Sequence, residues 1–183
     1  MRVSPHARRL IVPVVVSSEG RQVKTYAMLD DGSTKVVISE RLASKLALPR
    51  TPKLMHLHTV EGASHRMRDM ADFTISNLHG DLSLPVSQAL VTDFLATEED
   101  MPPRNDEISG MEYLDGVSFQ ELDSDDVDII LSIDYGWTWL GGEVRRSTPD
   151  KPLCLLTKWD GRWPVPGMVL PAIKARVSAQ PWK

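Results

Sequence analysis

The sequence predicts an all-β fold, a closed or folded-over barrel with one or two short helices. Three observations point there. Short β-branched and apolar runs recur, among them IVPVVV after Leu10 and VDIIL from Val127. Turn chemistry separates these runs at Glu19-Gly20, Glu61-Gly62, Asn77 to Gly80 and Asp160-Gly161. Helical spacing of apolar residues is confined to one brief stretch, where Leu42 and Leu46 lie four apart.

Taken in order, Leu10 to Val16 is the first strand, with Pro13 marking an edge or a bulge. A turn over Ser17 to Gly20 returns the chain along Gln22 to Leu29. Lys35 to Ile38 is a short strand, and Ser39 is placed to cap a helix whose first turn carries Glu40. Leu48-Pro49 ends that helix. Leu54 to Val60 and Arg66 to Ile75 form a hairpin with Glu61 to Ser64 at its tip. Leu82 to Thr92 is extended, with Pro85 again indicating an edge. Residues 94–108 read as an acidic surface loop, and Tyr113 to Phe119 as a short extended piece. The apolar row Ile129-Ile130-Leu131 predicts a strand buried on both sides. Gly136 to Gly142 fits one helical turn carrying Trp137 and Trp139. Leu153 to Trp159 and Arg162 to Val165 flank Asp160-Gly161 as a final hairpin. All five tryptophans fall from Trp137 onward, which predicts apolar packing late in the chain.

Composition narrows the function classes. A chain of 183 residues with 42% hydrophobic and 25% charged residues is expected to form one globular domain with a real core. A net charge of −4 gives no electrostatic case for nucleic acid. The single Cys154 excludes an intramolecular disulfide, fits a reducing compartment, and lies in an apolar run as a core residue would. No apolar run is long enough to cross a bilayer, and the first residues do not read as a secretory signal, so no membrane partner is expected.

The most informative stretch is Tyr26-Ala27-Met28-Leu29-Asp30-Asp31-Gly32-Ser33-Thr34. A carboxylate at the end of a buried strand is costly unless it is hydrogen-bonded or used. Gly32 allows a sharp turn and a close approach, and Ser33 and Thr34 offer hydroxyls to orient the acid. An apolar pair followed by Asp-x-Gly-Ser/Thr is the arrangement an aspartic peptidase needs. An ordinary strand-to-turn junction has the same local chemistry. Other candidate sites are weaker. His56, His58 and His65 lack the further ligands of a zinc site, so no metal is expected. Asp123 to Asp128 lacks the Gly and Glu of a calcium loop and reads as a solvated acidic turn. There is no Gly-rich phosphate loop and no Gly-x-Ser-x-Gly elbow.

Read together, AMLDDGSTKVVISERLASKLAL and VDIILSIDYGWTWL resemble the retropepsin-like aspartic peptidase domain of Bel/Pao-type retrotransposon polyproteins. MEYLDGVSFQEL and, more loosely, LCLLTKW add to the likeness, which spans roughly residues 9–167. Residues 1–8 would then be an N-terminal extension and 168–183 a C-terminal tail. The resemblance implies the acid-protease barrel, one lobe per chain. It implies Asp30 as the catalytic aspartate, with Asp31, Gly32, Ser33 and Thr34 completing its loop. Val60, Glu61 and Gly62 would lie at the tip of a flap over a peptide. Ile129, Ile130, Leu131 and Ser132 would pack behind the catalytic loop. Two positions depart from the pattern: Asp31 stands where a hydroxyl residue is usual, and Ser132 where a glycine is.

Such an enzyme needs two carboxylates sharing one proton, because two like charges at contact distance do not both ionise cheaply. The chain offers one apolar-apolar-Asp-x-Gly, and Asp115-Gly116 and Asp160-Gly161 lack the intervening residue. Asp30 and Asp31 of one chain do not form the pair, since neighbours on an extended strand point oppositely. The expectation is therefore a symmetric homodimer with Asp30 from each subunit. It would cut a polyprotein in the cytoplasm or in an assembling virus-like particle, without a cofactor. The alternative is an inactive domain of the same fold serving as a dimerisation or peptide-binding module.

Overall fold

A computed structural model describes residues 10–59, 62–93, 104–117, 120–123, 126–145 and 154–160. The β-branched runs become strands: β1 (Ile11–Ser18), β2 (Arg21–Leu29), β3 (Val37–Ser39), β4 (Thr51–Thr59), β5 (Gly62–Ser76), β6 (Ser83–Thr92) and β7 (Val127–Leu131). Two more, β8 (Glu143–Arg145) and β9 (Cys154–Leu156), pair with each other in a separate two-stranded sheet. The helices are short: α1 (Glu40–Lys45) and α2 (Asn105–Ile108), with 3-10 turns at Glu112–Leu114, Ile133–Thr138 and Lys158–Asp160.

The large sheet runs β1-β2-β7-β3-β6-β5-β4, and β1 pairs back onto β5. That return closes a six-stranded barrel and leaves β4 outside it. The fold is thus the all-β closed barrel with few short helices that the sequence predicts.

The centre of the barrel wall is unusual. β7 lies between β2, to which it is parallel, and β3, to which it is antiparallel. The chain therefore leaves β2, passes around the end of β7, and resumes as β3 on the other side. With a strand on each flank, β7 is buried on both faces, as its apolar row requires. Ile129 and Leu131 join Val14, Val16, Ala27, Ile38, Leu42 and Ile75 in the main core, whereas Ile130 packs with Ile11, Tyr26, Met28 and Val127. α1 is capped as expected: Ser39 Oγ accepts from Leu42 N at 3.0 Å. Arg50 and Ser44 hydrogen-bond Glu40 and hold its carboxyl below the usual range. Among the described residues no helix is long and apolar enough to cross a membrane.

Several local expectations change. Pro85 and Pro13 do not make their strands edge strands, because β6 and β1 both lie within the barrel. Among the described residues each proline falls where its strand has a neighbour on one side only, since β3 meets β6 from Leu90 onward and β5 meets β1 from Val15 onward. The β4–β5 hairpin is longer than expected: Thr59 pairs with Gly62, so Gly62 to Ser64 belong to the strand. Of the expected extended piece Tyr113 to Phe119, the described residues 113–117 are not a strand. Glu112–Leu114 forms a 3-10 turn that drops Leu114 onto Ile108 and Cys154 in a small second core. Ile108 closes α2, so the end of the acidic loop is anchored rather than solvated. The helical turn carrying Trp137 begins earlier, at Ile133. β9 pairs with β8, and the Asp160 carboxylate accepts from Thr157 N just beyond β9. Arg162 to Val165, Trp163 and Trp182 lie outside the described residues, as do most of residues 94–108 and both the extension and the tail. Trp139 and Trp159 are core, and Trp137 is 53% exposed with Lys158 Nζ 4.5 Å from its ring centroid.

Truncating Ile129, which is fully buried between β2 and β3, is expected to cost ~2–5 kcal/mol as Ile129→Ala. Ile130→Ala, at a partly exposed site on the other face, is expected to cost less. Urea unfolding midpoints of the two variants check the difference.

Candidate active site

β2 delivers Asp30 to the end of the β7 strand, where the backbone holds it. Asp30 N donates to Leu131 O at 3.0 Å, and Ile133 N donates to Ser33 O at 2.9 Å. These two bonds fasten both sides of the 30–33 loop to the junction between β7 and the 133–138 turn. Within the loop, Gly32 N donates to Asp30 Oδ1 at 2.9 Å. A Cβ on Gly32 would stand 3.3 Å from that same oxygen, so a side chain there would press on the carboxylate. Asp30 is half-buried, and its Oδ2 makes no hydrogen bond to any described residue. One carboxylate oxygen is therefore held by the loop backbone, and the other is unengaged among the described residues.

The other loop residues take different roles from those expected. The Ser33 hydroxyl does not orient Asp30: it donates to Lys35 O at 2.7 Å and accepts from Lys35 N at 3.3 Å. It shapes the exit of the loop instead. Thr34 and Asp31 are exposed, and Asp31 has no ion-pair partner among the described residues. Ser132 is 1% exposed, and its hydroxyl has no hydrogen-bond partner among the described residues. It sits between the two residues that hold the loop. Tyr135, in the turn that follows, donates its hydroxyl to Pro85 O at 2.9 Å, and burial, then the Asp134 charge, pushes its phenol up.

The sequence reading missed the most heavily bonded acid near the site. Asp128 was read as part of a solvated turn, yet it is 3% exposed. Thr25 Oγ1 donates to Asp128 Oδ2 at 2.6 Å, Arg41 Nη2 to the same oxygen at 2.6 Å, and Arg41 Nε to Oδ1 at 3.3 Å. The Ser39 hydroxyl also donates to Oδ1. Arg41 reaches Asp126 as well, and these two acids outweigh burial to raise its pKa. An acid inside an otherwise apolar buried row was the signal available in the sequence.

The β4–β5 hairpin is the element expected to form a flap. From Asp69 toward the tip, β5 pairs among the described residues with β4 alone, so this part projects from the barrel as a two-stranded arm. Leu54 and Met67 pair across it at 56% and 58% exposure. Val60 and Glu61 lie outside the described residues, and Gly62 opens β5 opposite Thr59. The register also sets His56 opposite His65. Among the described residues there is no group of three metal-ligating side chains. Cys154 is buried in the second core, and burial foremost pushes its thiol up, away from nucleophile chemistry.

No protein-family model matches the chain, and a search of curated proteins finds no match.

A buried hydroxyl without a partner destabilises by its lost hydration. Ser132→Ala is expected to raise stability by about 1 kcal/mol. A shift of the urea midpoint upward at unchanged slope is the expected reading.

Proposed function

We propose that the chain is a retroviral-type aspartic endopeptidase that cuts a polyprotein, active as a symmetric homodimer. The observation that carries this reading is the state of Asp30: a half-buried carboxylate at a strand end, with Oδ1 held by Gly32 N–H and Oδ2 unengaged among the described residues. The likeness of residues 27–48 and 127–140 to Bel/Pao-type retropepsin domains supports it, as does the closed barrel with a projecting hairpin.

In the dimer, Asp30 of each subunit faces its counterpart, and the pair holds one proton. It titrates as a unit. The ionised member takes a proton from a water, which attacks the scissile carbonyl carbon. The protonated member donates a hydrogen bond to the carbonyl oxygen, and the leaving amine is then protonated as the roles reverse. The fixed Oδ1 limits rotation of the carboxylate, so the reacting oxygen is presented in one orientation. No metal or organic cofactor enters this scheme. The setting for it is the cytoplasm or an assembling particle, where a precursor is cleaved after subunits concentrate. The exposed Leu54 and Met67 give the hairpin an apolar surface suited to an extended peptide.

Cleavage of a peptide library, with and without a pepstatin-type inhibitor, tests the reading. Wild type is expected to cleave and the inhibitor to stop it. Asp30→Asn is expected to lose at least ~10³-fold in kcat, by analogy with the loss of an essential catalytic group, while still dimerising. A wild type that cleaves nothing from acid to neutral pH contradicts the reading and leaves a binding module of the same fold.

Asp31 adds a pH dependence to assembly. Bringing two Asp30 groups together brings two exposed Asp31 carboxylates close to the axis, with no described cation paired to either. Like charges oppose association, and protonation removes the opposition. Dimer dissociation constants are expected to fall as the pH is lowered from about 8 to about 4. In Asp31→Thr the dependence is expected to flatten. Sedimentation across this range checks both.

A further inference from the structure

The β2–β7 pairing contains an irregularity that the catalytic scheme does not use. Tyr26 stands opposite Val127, but Ala27 stands opposite Ile129, so Asp128 is an extra residue in β7. Bulges in parallel pairs are rare, and an unassisted one loses ladder hydrogen bonds without return. Here the extra residue is the acid bonded by Thr25 of β2, by Ser39 at the end of β3 and by Arg41 of α1.

The consequence reaches the site through register. Without the bulge, the Tyr26–Val127 pairing would continue in step and put Ile130 opposite Leu29. With it, Leu131 is opposite Leu29 and its carbonyl accepts the Asp30 N–H. Two residues further, Ile133 N–H meets Ser33 O. A slip of one residue would also exchange faces along the strand. Ile129 and Leu131 would then leave the main core and Ile130 would enter it.

We propose that Asp128 is a positioning residue for Asp30: its carboxylate, held by Thr25, Ser39 and Arg41, fixes the bulge that sets the β7 register under the catalytic loop. The bulge, not the bare strand, puts the Leu131 carbonyl and the Ile133 amide where the loop needs them. Asp128 lies off the reacting atoms and acts through Leu131 and Ile133. The structural part stands on the pairing alone; its effect on turnover rests on the peptidase reading above.

Amide hydrogen exchange and steady-state kinetics on Asp128→Ala, Asp128→Asn and Arg41→Gln test it, with Ile75 of β5 as the reporter of global opening. Asp128→Ala is expected to speed exchange at Asp30 and Ile133 by about tenfold beyond any change at Ile75. It is expected to lower kcat by about tenfold or more while KM stays within about twofold. Asp128→Asn keeps an acceptor for one of the two hydroxyls and is expected to restore part of both readings. Where Asp128→Ala does not fold, Asp128→Asn and Arg41→Gln carry the test, each with a smaller loss in the same two readings. The proposal is overturned if Asp30 exchange rises only in step with Ile75, or if kcat is unchanged once protection is lost. If wild type cleaves no peptide, the peptidase reading fails, and the exchange data still decide whether Asp128 sets the register.

Discussion

Two backbone hydrogen bonds, Asp30 N to Leu131 O and Ile133 N to Ser33 O, govern everything the site is able to do. They exist because β7 runs between the strands that enter and leave the loop. A loop tied at both ends to a strand buried on two faces has little freedom to move without opening the core. That rigidity lets a short turn keep a carboxylate half-buried with one oxygen engaged. The rest of the barrel serves to bury β7: α1 covers it through Leu42 and Ala43, and β1, β5 and β6 complete the same core.

The acidic residues divide by environment. Asp128 lies in the interior, where charge is tolerable only when paired and hydrogen-bonded, and it has both kinds of partner. Asp31 lies in solvent, where an unpaired carboxylate costs little until another approaches. Asp30 sits between these cases. One chain supplies one such group, and acid–base chemistry of this type needs two. In the proposed homodimer a second copy is the source, because symmetry would bring the same side chain to the same cleft.

Local chemistry was the part legible in the sequence. The alternating and β-branched runs marked β1, β2 and β7; Ser39 announced the start of α1; and Asp-x-Gly after an apolar strand marked the loop. Long-range pairing was not legible. Nothing near Asp128 says that Thr25 and Arg41, 103 and 87 residues away, will meet it. The same limit hid β8, whose partner β9 lies beyond residues 146–153. Ser33 was misread for a different reason: a hydroxyl beside an acid has a nearer backbone partner in Lys35. The prolines signalled a missing neighbour correctly, but only over part of each strand.

The proposed cleft is made jointly by two chains, and mixing subunits tests that most directly. Wild type at fixed concentration is equilibrated with increasing Asp30→Asn chain, and peptide cleavage is followed. A shared pair predicts that activity falls toward zero as mixed dimers replace wild-type dimers. Activity that stays constant as the variant is added would contradict it, since each wild-type chain would then carry a complete site of its own.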